Sequence, residues 1–481
     1  MELKINQMNT QEIRSKTEEI IQHLLQQGAS EDDTKNLKSF QILHNAYLEQ
    51  IDKKTTGIEW EKVESLPKEF SVDYSTLDKD FTKEEIIELL KKICIIKING
   101  GLGTSMGCTG PKSVIEVRNG LTFLDIIILQ LKALYREYGV VVPLVLMNSF
   151  STNVETEKVI KKYEQDNDVR ILTFLQHKFP RIDAQTLLPV CTELNGRKEE
   201  WYPPGHGDFL QSFVDSKAFQ TLKEEGKEYL FLSNSDNLGA IPDITIMHHF
   251  SKNHLDFALE LTPKTLNDVK GGTLIRYGNK LKMLEIAQVP SEHVAEFKDI
   301  KKFKVFNTNN IWMNMSAIQH VVEKRTLLNN MDIIVNRKKD GQRDVIQLEI
   351  AVGCAVSAFE HTTAYIVPRS RFLPVKACND LFIIQSTLFG LNESGHMVDN
   401  ARKVSDIPPS VTFSKDFQFI SEYQKHMQHI PNIEHLNSLV VDGNIIFGKN
   451  VKLVGDVVLK NTTTKPILLE DKTIENTTLT F

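Results

Sequence analysis

Apolar and polar residues follow one another along the chain in segments that predict strands and helices in alternation. Residues 93–98 form a short apolar run that predicts a buried strand, and residues 122–138, closed by Gly139, have the spacing of a helix. The pattern continues with predicted strands at 140–147, 171–175 and 229–232 and a predicted helix at 153–163. Strands that alternate with helices predict an α/β fold, a mostly parallel sheet covered by helices on both faces.

Such a sheet predicts where a ligand binds before any motif is considered. Ligands of open α/β sheets sit at the carboxyl ends of the strands. This rule selects the loops that follow Ile98, Met147 and Leu232.

The segment before this alternation predicts a helical arm and a linker. Thr10 can cap a helix whose apolar stripe ends at Gly28, and residues 53–80 have the pattern of a linker. Thr82 and Glu85 then form a capping box that opens the next helix. We predict an N-terminal helical segment and linker over residues 1–80.

The later part of the chain predicts more varied elements. A hairpin is expected over 273–287 around a Gly-Asn pair, followed by a strand at 303–314 and a helix at 344–359. From about residue 438 the helices stop, and VDGNIIFGKNVKLVGDVVL (441–459) has the short apolar steps and glycine corners of a hexapeptide β-helix. The prediction is a catalytic domain over 81–405 and a C-terminal β-helix domain over 406–481.

Composition narrows the function. The 57 basic and 63 acidic residues give a net charge of −6, which disfavours a nucleic-acid binder, so positive charge for an anionic ligand must come from a few placed lysines. The five cysteines contain no CxxC pair, so neither a zinc knuckle nor a disulfide framework is predicted. The chain shows no signal peptide and no apolar stretch that could span a bilayer, so we expect a cytoplasmic protein that binds no membrane.

The most distinctive segment is KINGGLGTSMGCTGPK, residues 97–112. Glycines without Cβ atoms allow a sharp turn after the strand and can aim backbone N–H groups at an anion, and Lys112 adds a full charge there. Pro111 breaks a Walker A motif, and the spacing GxGxxxG differs from the dinucleotide fingerprint. A phosphate-binding loop is predicted in preference to a surface loop without a ligand.

This stretch resembles the signature of eukaryotic UDP-glucose pyrophosphorylases, which are GT-A-like nucleotidyltransferases. The similarity extends from about residue 85 to the C-terminus through motifs in the same order: LMNSFST (146–152), WYPPGHGD (201–208), SNSDNLGA (233–240), DVKGGTLI (268–275), MLEIAQVP (283–290), FNTNNIW (306–312), VIQLEIAVG (345–353) and VPRSRFLPVK (367–376). The resemblance implies a GT-A/Rossmann-like sheet and a C-terminal left-handed β-helix. It also implies a Mg²⁺-dependent reaction of UTP with glucose 1-phosphate that gives UDP-glucose and pyrophosphate.

The resemblance assigns residues to both substrates. The catalytic lysines would be Lys112 and Lys376, and the metal ligand Asp236, since Mg²⁺ needs only one or two carboxylates beside water and phosphate oxygens. The residues expected at UTP are Ile98, Asn99, Gly100, Gly101, Lys112, Gln176, Gly205, Asp236 and Lys376. Those expected at the sugar phosphate are Gly100, Gly101, His206, Asn234, Ser235, Asp236, Gly272, Glu285, Asn309 and Asn310.

The chain departs from the family pattern at a few places. Thr109 stands where many relatives have lysine, which removes one charge near the phosphates. FLQHKFPRI around Gln176 replaces the more usual FNQSxYPRI, and Ser235 changes the usual NIDN string.

Two other functions compete with this hypothesis. A UDP-N-acetylhexosamine or broad-specificity UDP-sugar pyrophosphorylase typically has a GTRLG-like loop, whereas this chain has GTSMG. A catalytically silent nucleotide-binding or scaffold protein would lose charged site residues, which are present here. The family includes monomers and assemblies formed through the C-terminal domain, so the sequence leaves a monomer and a homo-oligomer open.

Overall fold

The computed structural model of the chain describes residues 8–53, 58–265, 268, 271–324, 332–400 and 408–481. The helices, numbered along the chain, are α1 Thr10–Leu25, α2 Glu31–Lys53, α3 Lys83–Lys92, α4 Phe123–Tyr138, α5 Asn153–Ile160, α6 Phe209–Val214, α7 Lys217–Glu224, α8 Ile244–Lys252, α9 Val294–Phe297, α10 Met315–Glu323, α11 Cys378–Gln385 and α12 Ile420–His426.

The strands of the described ranges are β1 Val63–Ser65, β2 Ser71–Asp73, β3 Ile93–Ile98, β4 Glu116–Arg118, β5 Leu121–Thr122, β6 Leu144–Asn148, β7 Ile171–Leu175, β8 Phe179–Pro180, β9 Ile182–Asp183, β10 Trp201–Tyr202, β11 Tyr229–Asn234, β12 Phe257–Pro263, β13 Thr273–Tyr277, β14 Lys280–Leu284, β15 Val305–Asn314, β16 Ile334–Asp340, β17 Arg343–Glu349, β18 Thr362–Ile366, β19 Phe389–Leu391, β20 Met397–Asp399, β21 Ser410–Phe413, β22 Asn432–Asp442, β23 Ile445–Phe447, β24 Lys452–Lys460, β25 Ile467–Leu469 and β26 Thr473–Thr480.

Eight strands form the central sheet in the order β2-β18-β12-β15-β11-β3-β6-β7. Strand β15 runs antiparallel to both of its neighbours, and the other pairs in this sheet are parallel. The predicted α/β class is therefore confirmed, with a mixed sheet. The carboxyl ends of β3, β6 and β11 lie side by side, so the loops selected from the sequence meet at one edge.

Local sequence explains the elements around this edge. Strand β3 is buried along nearly its whole length, since its apolar residues face helices on both sides of the sheet. Helix α4 begins with a capping box between Thr122 and Asp125 and ends at Gly139, whose φ of 69° lies in the left-handed region that glycine adopts easily. Its apolar side packs with β3, β6 and β11 in one core cluster.

The predicted helix at 344–359 is wrong. Residues Arg343–Glu349 form β17, which pairs antiparallel with β16 and β9, and Val352–Ala358 form a 3₁₀ segment. An apolar run as short as VIQLEIAVG does not separate a buried strand from a helix by its periodicity. The hairpin between β13 and β14 confirms the prediction at the Gly278–Asn279 turn.

The predicted linker also contributes strands. Strand β1 pairs with β13, and β2 forms an edge of the central sheet beside β18; residues 54–57 of this segment lie outside the described residues. Asn9, not Thr10, caps the first helix, because its side chain accepts from the backbone N–H of Glu12. The expected arm α1–α2 shares a core with Phe179, Trp201 and Ile346, so it packs against β8, β17 and the start of the 201–208 motif.

The C-terminal region consists of stacked parallel strands. Strands β21, β22, β24 and β26 pair in parallel, and β23 pairs in parallel with β25. Their inward residues share one core with Met106 and Val117 from the segment that follows β3. The predicted domain boundary at 405/406 lies outside the described residues. Within the described ranges, no helix combines the length and apolarity needed to cross a bilayer.

Candidate active site

The glycine-rich loop leaves β3 at the sheet edge and passes beside Gln176. A Cβ atom at Gly100 would lie 1.9 Å from Nε2 of Gln176, so only glycine lets this amide lie over the loop. Ser149 donates to the carbonyl of Gly100 (2.7 Å) and Ser113 donates to Oδ1 of Asn99 (2.6 Å). The first contact ties the start of the loop to the residue that follows β6, and the second ties the end of the loop to its start.

Lys112 and Asp236 meet across this edge. Lys112 begins the 3₁₀ turn Lys112–Val114 after Pro111, and its Nζ lies 2.8 Å from Oδ2 of Asp236. Both side chains are 16% exposed, so the pair is reachable from the crevice yet shielded from bulk water. The other carboxylate oxygen, Oδ1 of Asp236, is buried and accepts no hydrogen bond from the described residues.

The segment that carries Lys376 is anchored to the turn after β11. The backbone N–H of Val375 donates to the carbonyl of Asp236 (3.1 Å), and that of Leu373 donates to Oδ1 of Asn237 (2.8 Å). Lys376 itself is exposed, and its backbone N–H donates to Asp380 (2.8 Å). The lysine therefore follows directly on a residue bound to Asp236.

A third lysine, Lys97, lies beneath this turn and was missed from the sequence. Lys97 is fully buried, and its Nζ donates to Oγ of Ser233 (2.7 Å) and to the carbonyl of Ala240 (2.8 Å). Burial lowers the pKa of Lys97 to about 7. The Nζ group of Lys97 joins the two ends of the turn that carries Asp236. The place of this lysine inside an apolar strand was the signal available in the sequence.

Gln176 and the 201–208 motif lie beside the start of the glycine-rich loop and are joined through the contact of His177 with Asp208. Gln176 is buried, and its Oε1 has no hydrogen-bond partner among the described residues. Gly205 has a φ of 85°, which disfavours any residue with a Cβ. Nδ1 of His206 accepts from the backbone N–H of Val352 (3.1 Å), and burial lowers the pKa of His206 to about 4, so the ring is neutral near pH 7.

Four of the residues expected at the sugar lie in two contacting pairs, Gly272 with Glu285 and Asn309 with Asn234. A Cβ at Gly272 would lie 2.3 Å from Oε1 of Glu285. Burial raises the pKa of Glu285, and the positive charge of Lys376 partly offsets this rise. Asn309 has a φ of 60° and donates to Oδ1 of Asn234 (3.0 Å), while its own Oδ1 is buried without a partner among the described residues.

Some predicted residues face the core instead of the crevice. Asn310 is fully buried, and its amide donates to Glu260 (3.0 Å) and to the carbonyl of Arg371 (3.2 Å). The amide of Asn99 donates to Asn148 (2.8 Å) and Thr156 (2.9 Å). These two side chains support the loops, so any contact of Asn99 with a ligand comes from its backbone.

The remaining predicted residues lie where β3 and β11 end at the edge of the sheet. Ile98 ends β3, and its carbonyl accepts from the N–H of Ser235 (3.2 Å), so the loops after β3 and β11 are hydrogen-bonded. The side chain of Ser235 is buried. A Cβ at Gly101 would meet nothing within 4 Å, so this glycine borders open space.

The geometry defines a class of protein. An open α/β sheet carries a glycine-rich loop, a lysine–carboxylate pair and the exposed Lys376 near the carboxyl edge of its strands, which is an arrangement suited to an enzyme that binds a nucleotide or another phosphorylated ligand.

Comparison with known proteins gives the particular family. The family model for UTP–glucose-1-phosphate uridylyltransferase matches residues 37–454. A UTP–glucose-1-phosphate uridylyltransferase of Dictyostelium discoideum is 49% identical over 402 residues, 84% of this chain and 79% of the relative. The UDP-glucose pyrophosphorylase of Leishmania major, solved in open and closed forms, aligns with a TM-score of 0.84 and 28% identity over 97% of this chain and 99% of its own.

A variant of the Leishmania enzyme in complex with UDP-glucose aligns with a TM-score of 0.82 and 28% identity over 96% of this chain and 99% of its own. The chain belongs to the UTP–glucose-1-phosphate uridylyltransferase family, whose members are nucleotidyltransferases.

Proposed function

We propose that this chain transfers the uridylyl group of UTP to glucose 1-phosphate and releases UDP-glucose and pyrophosphate. The observation that carries the proposal is the Lys112–Asp236 pair at the edge where the glycine-rich loop and the segment before Lys376 meet. A phosphate oxygen of the sugar attacks the α-phosphorus of UTP, the bond to pyrophosphate breaks, and the reaction is reversible. No covalent nucleophile of the protein is needed.

The chemistry asks the protein to bring together two anions that repel each other. Lysines and backbone N–H groups that are already in place reduce this repulsion and stabilise charge on the departing pyrophosphate. Lys112 serves the UTP phosphates, and Lys376 acts on the charge that develops during transfer. His206 contacts the sugar phosphate without acting as a base, since that phosphate is already ionised near neutral pH.

Asp236 is suited to hold Mg²⁺. Its Oδ1 is buried without a hydrogen-bond partner in the described part of the chain, and a hard cation prefers such oxygen ligands. Among the described residues, no group of three His, Cys, Asp or Glu side chains could hold a metal ion by itself. Mg²⁺ needs only one or two carboxylates beside phosphate oxygens and water, so Asp236 can serve as its protein ligand. Asp236 would hold the metal through Oδ1, and Mg²⁺ bound there would supply positive charge to neutralise the phosphates.

The two substrates occupy opposite walls in this proposal. Uracil pairs with the amide of Gln176 and approaches Gly205, and the phosphates of UTP lie along residues 98–101. Glucose is bound by Gly272, Glu285, Asn234 and Asn309, and the side chains of Asn310 and Ser235 support this wall from behind. The orphaned oxygens of Gln176 and Asn309 support this division, because each needs a donor that a ligand supplies.

We extend the proposal to the molecule. The sheet is of the GT-A type, and the stacked C-terminal strands form a left-handed β-helix. The chain consists of an N-terminal segment over 1–80, a catalytic domain over 81–405 and a C-terminal domain over 406–481. The protein acts in the cytoplasm. It is a monomer or a homo-oligomer assembled through the C-terminal region.

Release of pyrophosphate tests the function. Purified protein with UTP, glucose 1-phosphate and Mg²⁺ should release pyrophosphate, and chelation of the metal should stop the release. Folded protein that binds UTP and releases none would establish the silent nucleotide-binding alternative. Competition between glucose 1-phosphate and N-acetylglucosamine 1-phosphate tests the sugar, and a preference for the latter would overturn the assignment to glucose.

A further inference from the structure

A buried histidine–aspartate pair lies behind the wall assigned to uracil. Nδ1 of His177 lies 2.6 Å from Oδ1 of Asp208, and the backbone N–H of His177 donates to Oδ2 (2.7 Å). The side chains are 6% and 5% exposed. One histidine therefore binds both oxygens of a carboxylate that is out of contact with water, which makes the contact stronger than a surface pair.

The pair joins two segments of the proposed active site. His177 follows Gln176, whose backbone N–H donates to the carbonyl of Asn148 (2.8 Å). Asp208 belongs to the 201–208 motif, and its backbone N–H donates to the carbonyl of Gly205 (3.3 Å). The contact fixes Gln176 relative to the turn that carries Gly205 and His206.

Neighbouring groups favour a charged ring. Nε2 of His177 lies 3.8 Å from Oδ2 of Asp215 at the end of α6, and the ring stacks on Phe179 with centroids 5.9 Å apart. Burial opposes the charge on His177, but Asp208 and Asp215 outweigh burial and the repulsion from Lys35 on α2, so the pKa of His177 is raised. The imidazolium is thus the form that the surroundings stabilise.

The more usual family string FNQSxYPRI has serine where this chain, in FLQHKFPRI, has His177. A serine hydroxyl is shorter than an imidazole and has no charge, so it cannot replace the ring between Asp208 and Asp215.

We propose that His177 is a positioning residue that holds Gln176 against the 201–208 motif and thereby sets the affinity of the enzyme for UTP. The inference rests on the proposed function, in which Gln176 and Gly205 receive the uracil. His177 touches neither substrate. Its removal should therefore weaken UTP binding and leave the chemical step intact.

Substitution with the family's residue tests the role. His177→Ser should raise the KM for UTP about tenfold, the scale of one lost charge-assisted hydrogen bond, with kcat and the KM for glucose 1-phosphate unchanged. His177→Asn, whose amide can still donate to Asp208 from a similar position, should restore most of the affinity. An unchanged KM for UTP in His177→Ser, or an equal loss in kcat, would overturn the proposal.

The pH dependence separates positioning from packing. Above the raised pKa the ring loses its charge and with it the ion pairs to Asp208 and Asp215, so the KM for UTP of the wild type should rise with pH. His177→Asn lacks this titration, and its profile should lose that rise while keeping any contribution from UTP itself. Identical profiles would contradict the role. This comparison also decides the question if His177→Ser does not fold.

His361 offers a matched control. Its ring and its backbone N–H both contact Oδ2 of Asp256 (3.2 and 3.0 Å), the same kind of pair, but its side chain is 67% exposed. His361→Ser should leave the KM for UTP unchanged. The two proposals fail separately: wild-type protein without pyrophosphate release would refute the function, whereas the direct dissociation constant for UTP would still report on His177.

Discussion

At the scale of single residues, the proposed site contains a few buried oxygens that would gain a hydrogen-bond or metal partner from a bound substrate. Oδ1 of Asp236, Oε1 of Gln176 and Oδ1 of Asn309 are buried oxygens without donors in the described ranges. A buried acceptor without a donor is unfavourable in isolation, so these oxygens are prepared for a cation or for ligand N–H and O–H groups.

Replacement of Lys376 should impair turnover more than binding. The lysine is exposed, and in the proposed mechanism it acts on charge that forms during transfer, so Lys376→Ala should lower kcat by about 100-fold or more and change the KM for UTP little. Steady-state kinetics measure both constants. Lys449→Ala, at another exposed position, is the control. Equal losses in kcat and in affinity would indicate ground-state binding.

A methyl group at residue 100 should displace the uracil-side amide. In Gly100→Ala the new Cβ would overlap Nε2 of Gln176 at 1.9 Å, so we expect weaker binding of UTP. Gly110→Ala in the same loop meets only Glu155, at 3.8 Å and beyond, and should bind UTP like the wild type. Calorimetric titration with UTP makes the comparison, and similar affinities in both variants would place Gln176 outside the UTP site.

At the scale of elements, the helices that pack around the sheet fix the position of the loops at its carboxyl edge. Helix α2 packs on the segment before the 201–208 motif through a core that includes Phe40 and Phe179. Within this contact Nε2 of His44 donates to the carbonyl of Leu187 (2.9 Å) and Nδ1 has no partner among the described residues. Burial lowers the pKa of His44 to about 4, so the ring is neutral in the folded protein at neutral pH.

Acid should therefore loosen the α2 contact. The unfolded chain protonates His44 near its usual pKa, whereas the folded chain resists protonation until about pH 4, so the stability present above the unfolded pKa falls as pH drops. Between about pH 7 and pH 5 this group alone should remove roughly 2 kcal/mol. Urea unfolding of wild type and His44→Leu at both pH values measures the difference, and equal pH dependence would contradict it.

At the scale of the whole molecule, the C-terminal strands and the glycine-rich loop share a core. Met106 is fully buried in the cluster that contains Leu453 and Leu459, and a Cβ at Gly107 would lie 2.8 Å from Phe419. The loop is therefore shaped by residues more than 300 positions further along the chain, and the C-terminal region stabilises its conformation.

A cavity in the C-terminal core should consequently weaken the binding of UTP. Leu453 is fully buried in β24, and Leu453→Ala should lower the free energy of unfolding by about 2–5 kcal/mol. Leu468 in β25 is 50% exposed, so Leu468→Ala is the matched control with little effect. Urea denaturation measures stability and UTP titration measures the site; weaker UTP binding in Leu453→Ala alone is expected. Unaltered UTP binding in Leu453→Ala would show that the C-terminal core does not support the UTP site.

The alternation of strands and helices follows from local sequence. Strand β3 occupies the predicted 93–98, and helix α4 begins and ends at its predicted caps, because periodicity and capping are properties of neighbouring residues. The glycine-rich loop, Lys112 and Asp236 were likewise identifiable as candidates, since short motifs carry their own chemistry. The helix expected at 344–359 failed because pairing with β16 and β9 decided it.

What the sequence alone determined is the class of fold, the family and the residue types available for catalysis. Only the tertiary structure decided which side chains meet: Lys112 with Asp236 across 124 positions, His177 with Asp208, and Asn309 at the crevice while Asn310 faces Glu260. The physical reason is that a motif fixes local geometry, whereas contact between distant segments depends on sheet order and core packing.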